Sequence, residues 1–277
     1  MNLQINNEYS TLKKAIVASA ITYYDHEAIN NNQAYYYKHS SPSKSLLIEQ
    51  QKVFFDVLDT NGVELLFAEE KGNCPDQLNT RDPAFCIGDT LYISAMKEPL
   101  RAHEKDGLRR IISKISSPVV RLNNCSIEGG DVLVNDNIVY VGISRRTNME
   151  GIYSLKAKMR DQYEVIPIIL KPGFLHLDTV FNILGNNKAL VCHDAIDRDS
   201  YEILHTFSLL EITLEEQLHL GTNVLSITPD KVISQPQNAR INNMLKEHGF
   251  HVIEVDYSEG SKIGGAFRCA TCPLVRE

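Results

Sequence analysis

The chain has 277 residues, 43% of them apolar and 23% charged, with a formal net charge of −7. That length fits one large domain or two ordinary ones, and the acidic balance speaks against general binding to nucleic acid or anionic membrane. No stretch approaches the ~18 apolar residues of a membrane span. The opening Met1-Asn2-Leu3-Gln4-Ile5-Asn6-Asn7-Glu8 lacks a basic n-region and an apolar h-region, so nothing marks it for export. Six cysteines (74, 86, 125, 192, 269, 272) are too few and scattered for a disulfide framework. Reduced thiols in a cytoplasm are the simpler expectation.

Lys13 to Ala18 is a short apolar run and reads as a buried strand. Ile21 to Lys44 is rich in Asn, Tyr and Ser, with Tyr35-Tyr36-Tyr37 among them. It breaks the pattern and reads as a long loop, either a lid or a surface excursion. Ser45 to Thr60 is an amphipathic helix stopped by Asn61-Gly62. Val63 to Ala68 follows as a strand, then a hairpin from Ala84–Gly88 and Thr90–Ser94. Leu100 to Ile115 reads as a second helix. Pro118–Leu122, Asp131–Val134 and Ile138–Gly142 read as strands, the last two joined through Asn135-Asp136-Asn137. Met149 to Asp161 is a third helix and Glu164 to Leu170 a strand. Val180–Leu184 and Lys188–Cys192 form another hairpin. Arg198 to Leu220 reads as helical, in one or two pieces. Asn223–Ile227 and Lys231–Ser234 pair across Pro229-Asp230, Asn238 to His248 is the last long helix, and His251 to Val255 a final strand. A helical segment thus recurs about every 50 residues, five times, with no linker between. That periodicity predicts a closed repeat architecture in one domain over residues 1–277.

Four polar clusters fall in loops or at strand ends, where chemistry usually sits. They are Asp76 to Asp82, Glu128 to Asp131, Leu175 to Asp178, and a C-terminal Gly264-Gly265-Ala266-Phe267-Arg268-Cys269. Each has an ordinary reading alone. Asp82 could be a turn residue or a partner for Arg81, Glu128-Gly129-Gly130-Asp131 a turn entering a strand, and His176 a satisfied core histidine. Cys269 and Cys272 form a CxxC, but there is no second CxxC and no histidine pair at ligand spacing, so metal and redox readings rank low. Together the clusters supply one thiol, one imidazole and several carboxylates. Carboxylates paired around a pocket suit a planar cation with forked N–H donors, that is, a guanidinium.

On these motifs the chain resembles the guanidino-modifying superfamily of arginine deiminases, dimethylarginine dimethylaminohydrolases and amidinotransferases. The carrying residues are Thr80-Arg81-Asp82-Pro83, Glu128-Gly129-Gly130-Asp131, Ser144-Arg145-Arg146-Thr147-Asn148, His176-Leu177-Asp178-Thr179-Val180-Phe181 and Gly264-Gly265 through Cys269. The resemblance implies an α/β fold, a five-bladed α/β propeller of ββαβ modules (the pentein fold) with the site at its centre. It implies Cys269 as nucleophile, His176 as general acid and base, and Glu128 as the carboxylate that orients His176. Asp82 and Asp178 become guanidinium clamps, Arg101 and Arg146 grips for a substrate α-carboxylate, and Asp76 the holder of its α-amine. It implies no cofactor and no metal, a small-molecule guanidino substrate, no nucleic-acid or membrane partner, and is compatible with a homodimer. Hydrolysis of arginine or a methylarginine is the favoured activity. An amidinotransferase and a catalytically silent binding protein are the alternatives.

Overall fold

A computed structural model describes residues 1–277, folded into five three-stranded sheets of one repeated design. In each, two strands pair antiparallel and a third joins parallel to the middle one after a helical crossover. The strands are β1 (Leu12–Val17), β2 (Glu64–Phe67), β3 (Ala84–Ile87), β4 (Thr90–Ile93), β5 (Val119–Arg121), β6 (Val132–Asn135), β7 (Ile138–Ile143), β8 (Glu164–Ile169), β9 (Phe181–Ile183), β10 (Lys188–Val191), β11 (Ser208–Glu211), β12 (Leu225–Thr228), β13 (Lys231–Ser234), β14 (His251–Glu254) and β15 (Cys272–Arg276). Four sheets are consecutive triplets, from β3-β4-β5 to β12-β13-β14. The fifth joins the chain's two ends: β1 pairs antiparallel with β15 and parallel with β2. A parallel return needs a long crossover. These are α2 (Lys44–Thr60), a short helical stretch ending in α3 (Arg109–Ile112), α4 (Met149–Lys156), α5 (Arg198–Ile203) and α7 (Ala239–Glu247). Three further helices, α1 (Asn31–His39), α6 (Leu214–Leu218) and α8 (Ser258–Lys262), lie outside this scheme.

The expected hairpins and strands fall within a residue or two of their predicted places, and four expectations need correction. Within Ile21–Lys44 the chain is not simply a loop: Asn30 caps α1 by accepting from Gln33 N. The inward residues of α1 are Asn32 and Gln33, so no apolar period announced it. The helix expected over Leu100–Ile115 is two short 3-10 turns and the single turn α3. The helical reading of Arg198–Leu220 hid β11, which pairs parallel with β10 from Lys188↔Ser208 to Val191↔Glu211. Strand β15 was not expected at all. Its Cys272-Pro273-Leu274-Val275-Arg276 is an apolar run too short to separate from the turn before it.

Apolar packing anchors the C-terminal turn. Phe54 of α2, fully buried, lies 5.0 Å from the ring of Phe267 and 5.7 Å from that of Tyr257. Ala266 and Ala270 share the same cluster. The residues flanking Cys269 are thus held by core contacts, as well as by the strand that follows. A Phe54→Ala variant leaves a cavity beneath this turn. It should lower unfolding stability by about 3–5 kcal/mol, read as a lower urea midpoint with an unchanged m-value.

Candidate active site

Each module sends the segment just before its first strand to one buried place. Asp82 precedes β3, Glu128 precedes β6, His176 and Asp178 precede β9, Asn223 precedes β12 and Cys269 precedes β15, each within two to five residues of the strand. Backbone contacts tie these turns together. Arg81 N donates to Cys269 O (3.0 Å) and Gly129 N to Asp82 O (3.1 Å). Two glycines explain their motifs by lack of space. A Cβ on Gly130 would stand 2.7 Å from His176 Nδ1 and 2.8 Å from Asp82 Oδ1, and one on Gly265 would stand 2.1 Å from Asn79 Oδ1.

All the expected side chains are almost fully buried; Cys269 is 1% exposed, and His176, Glu128 and Asp178 are 0%. His176 Nε2 donates to Glu128 Oε2 (2.9 Å), since an ionised carboxylate can only accept. The other ring nitrogen, Nδ1, faces Asp82 Oδ1 at 3.6 Å, and neither atom has a hydrogen-bond partner. Glu128 also takes Arg146 Nη1 (3.1 Å) and Lys97 N (3.0 Å). On the other side, Cys269 Sγ lies 3.9–4.0 Å from the Asp178 carboxylate and 3.2 Å from Asn223 Nδ2. Asp178 is met by Arg268 Nε at 3.3 Å, and Arg268 and Arg81 both reach the buried Glu8.

Arg101 and Arg146, the expected carboxylate grips, are here turned onto acids of the chain itself. Arg101 forks Nε and Nη2 onto Glu104 (2.8 Å each) and gives Nη1 to Asp82 (2.6 Å). Arg146 bonds Glu128 and Ile29 O. Asp76 is held by His26 Nε2 and Gln33 Nε2, both at 3.1 Å. Both partners come from the 21–44 segment, which also reaches across through Asn31 to Gly173 O (2.6 Å) and Asn32 to Leu218 O (2.8 Å). A cavity of about 250 Å³ is lined by Asn31 and Asn32 of α1, by Leu175, the residue before His176, and by Leu218 of α6.

Charge sets the protonation states. Burial works against an imidazolium at His176, but Asp82, Asp131 and Glu128 outweigh it and lift its pKa to about 9. Burial favours the acid form of Glu128, yet the His176 hydrogen bond and Arg146 win and hold its pKa low. Asp178 is pushed up to about 6 by burial, against the pull of Arg268. The Cys269 thiol is pushed well above its ordinary range by burial and by Asp178 and Asp82, with Asn223 opposing. These shifts favour a protonated Cys269 thiol and a protonated His176 in the free site at neutral pH. One carboxylate oxygen each of Asp82 and Glu128 and a ring nitrogen of His176 lie within 4.8 Å of one another. That spacing would suit a cation, but Arg101, Arg146 and the imidazolium already meet those charges.

Sequence reading missed Asn223, Arg268 and Glu8. Asn223 carries a usable signal, since the sequence shows four polar clusters for five modules and Asn223 opens the fifth. Arg268 sits beside Cys269. For Glu8, in an irregular N-terminal segment, we find no local signal.

The family model described as "N,N dimethylarginine dimethylhydrolase, eukaryotic" matches residues 19–276. The chain belongs to the guanidino-modifying superfamily. It is 37% identical over 270 residues to "Uncharacterized protein YkgA" of Bacillus subtilis (strain 168), covering 97% of this chain and 94% of that protein. It is 31% identical over 255 residues to an arginine deiminase of Bacillus thuringiensis subsp. konkukian (strain 97-27), covering 73% of this chain. The chain spans 62% of the length of that deiminase. Among solved structures, SxtG, an amidinotransferase from Microseira wollei in the saxitoxin biosynthetic pathway, matches with a TM-score of 0.88. It is 18% identical and is covered to 97%, with 99% of this chain; at that identity the likeness speaks for the fold. No helix of the structure is long and apolar enough to cross a membrane.

Removing the Glu128 charge should lower the His176 pKa from about 9 towards the ordinary value near 6.5. Imidazole NMR titration of Glu128→Gln against the parent protein reads this directly. An unchanged midpoint would mean that Glu128 does not set the charge of His176.

Proposed function

We propose that the chain hydrolyses the guanidinium carbon of arginine or an Nω-methylated arginine, giving citrulline and ammonia or a methylamine. The observation that supports this most is the convergence of Cys269 Sγ, the Asp178 and Asp82 carboxylates and the His176–Glu128 pair in one buried cluster. In this reading Asp82 and Asp178 take the N–H forks of the substrate, displacing Arg101 Nη1 and Arg268 Nε from those oxygens. Arg101 and Arg146 then face the α-carboxylate and Asp76 the α-amine. The arriving cation offsets the acids that hold Cys269 as a thiol and favours the thiolate, and the thiol's proton is lost to solvent as the substrate binds, since His176 already carries its own. Sγ attacks the guanidinium carbon, the carbon–nitrogen bond to the leaving group breaks, and His176 gives that nitrogen its proton. A covalent S-alkylthiouronium remains. His176, now neutral, takes a proton from water, the hydroxide adds to the same carbon, and the thiolate leaves as the ureido product forms.

With Cys269 buried, something must open. The α1 segment is the proposed lid, because the contacts named above are hydrogen bonds, which exchange for water at a net cost of only about 1 kcal/mol each. We further take the five sheets as the blades of one closed propeller forming a single domain over residues 1–277; the pairing of β15 with β1 supports this.

Amidino transfer is the second reading. It draws support from the burial of Cys269, since a covalent adduct must be kept from water until an acceptor amine arrives.

Incubating purified protein with arginine and its Nω-methyl forms should release citrulline with ammonia or methylamines, and Cys269→Ser should abolish it. A new guanidino compound formed only when glycine or another amine is added would favour transfer. No product in either arm would leave a binding role on this scaffold, and full activity in Cys269→Ser would exclude Cys269 as the nucleophile. For the active enzyme, kcat/KM should be bell-shaped. It should rise as Asp178 ionises near pH 6 and fall as His176 loses its proton near pH 9.

A further inference from the structure

Four of the five modules deliver an ionisable or nucleophilic side chain to the site. The fifth delivers Asn223, and its amide is fully used. Oδ1 accepts from Cys269 N and Ala266 N, both at 3.2 Å. Nδ2 donates to Asp178 O (3.3 Å) and stands 3.2 Å from Cys269 Sγ. The orientation is not ambiguous. Flipping the amide would turn the NH2 onto two backbone N–H donors, so the NH2 must face the sulfur and the carbonyl. Asn223 is 1% exposed, and its backbone carbonyl lies 3.4 Å from Arg268 N. One residue therefore links the turn carrying Cys269 to the turn carrying Asp178.

The groups facing the sulfur make this contact unusual. Asp178 of the fourth module and Asp82 of the second both oppose a negative sulfur. Tyr257, before α8, loses its own proton less readily, chiefly through burial and in part through Cys269. Arg268 is the nearby cation, but it is shared between Asp178 and Glu8. Asn223 is the side-chain N–H donor within reach of Sγ.

We infer that Asn223 is a catalytic residue of this site, the fixed donor that carries the Cys269 thiolate when it forms and again when it is expelled from the adduct. The assignment rests on Cys269 being the nucleophile of the proposed reaction. A neutral amide suits the task. It stabilises the anion without competing with the substrate for the carboxylates, as a lysine or arginine there would.

The test is the pH dependence of Cys269 alkylation by iodoacetamide, followed by mass spectrometry of the C-terminal peptide, in the parent protein, Asn223→Asp and Asn223→Ala. Asn223→Asp keeps an oxygen for the two backbone N–H groups of the Cys269 turn, while it puts a charged acceptor where Nδ2 donates to Sγ and to Asp178 O, so it holds the Cys269 turn even if Asn223→Ala does not fold. The expected result for Asn223→Asp is a midpoint raised by about one unit or more, seen as about tenfold slower alkylation near neutral pH. In turnover, kcat should fall by about 10²–10³-fold, the range for losing one preorganised donor, with KM little changed. Superimposable alkylation curves with kcat preserved in Asn223→Asp would overturn the assignment and leave Asn223 a backbone brace. A shifted curve in a protein that turns over no guanidine would support the donor role and refute the proposed reaction instead.

Discussion

A sulfur held among carboxylates governs this molecule. Burying a charge is costly unless it is paired, yet the centre of the fold collects Glu8, Asp76, Asp82, Glu104, Glu128, Asp131 and Asp178, all nearly inaccessible to solvent. The chain meets most of that charge with its own cations, Arg268 on Glu8 and Asp178, Arg101 on Asp82 and Glu104, and Arg146 and His176 on Glu128, while Asp76 is hydrogen-bonded by His26 and Gln33. Burial still prevails at two of these acids: Asp131, which takes only hydrogen bonds from Ser144 and Leu177 N, and Glu104, despite the Arg101 fork, are each lifted to about 7. In such a field a thiol keeps its proton until another positive charge arrives. In the proposed reaction the site would select for a cationic ligand twice, once by binding and once by switching on the sulfur.

The repeat architecture makes this arrangement attainable. Each module ends its approach to the centre with a tight turn and then commits to a strand. The strand fixes the turn, and the turn aims one or two side chains inward. The three-stranded sheets need no knowledge of the chemistry. Their hairpins and crossovers rely on ordinary alternation and turn residues, while the irregular residues ahead of each first strand form the proposed site. Joining β1 to β15 fixes the Cys269 turn from both sides, by the strand that follows it and by the aromatic cluster of Phe54, Tyr257 and Phe267.

Much of this was legible in the sequence, and the failures have physical causes. Hairpins such as Ala84–Ile87 with Thr90–Ile93 announce themselves through apolar runs and a glycine turn. The five-fold period was visible because each crossover needs a helix. Helix α1 was illegible because the face it buries is made of Asn and Gln, inverting the usual signal. Strand β11 was hidden by flanking helices that share its composition. The pairing of Arg101 with Glu104 and of Arg146 with Glu128 could not be read either. The family resemblance implied both arginines as grips for a substrate carboxylate, but which carboxylate an arginine meets depends on the three-dimensional meeting of separate loops.

The most direct measurement of the central claim is acid-quenched mass spectrometry of the protein mixed with arginine or a methylarginine at early times. The account predicts a covalent adduct on the peptide containing Cys269, localised to that sulfur rather than to Cys272, and decaying as product forms. Turnover with Cys269 unmodified at every time, or an adduct that maps to another residue, would contradict it.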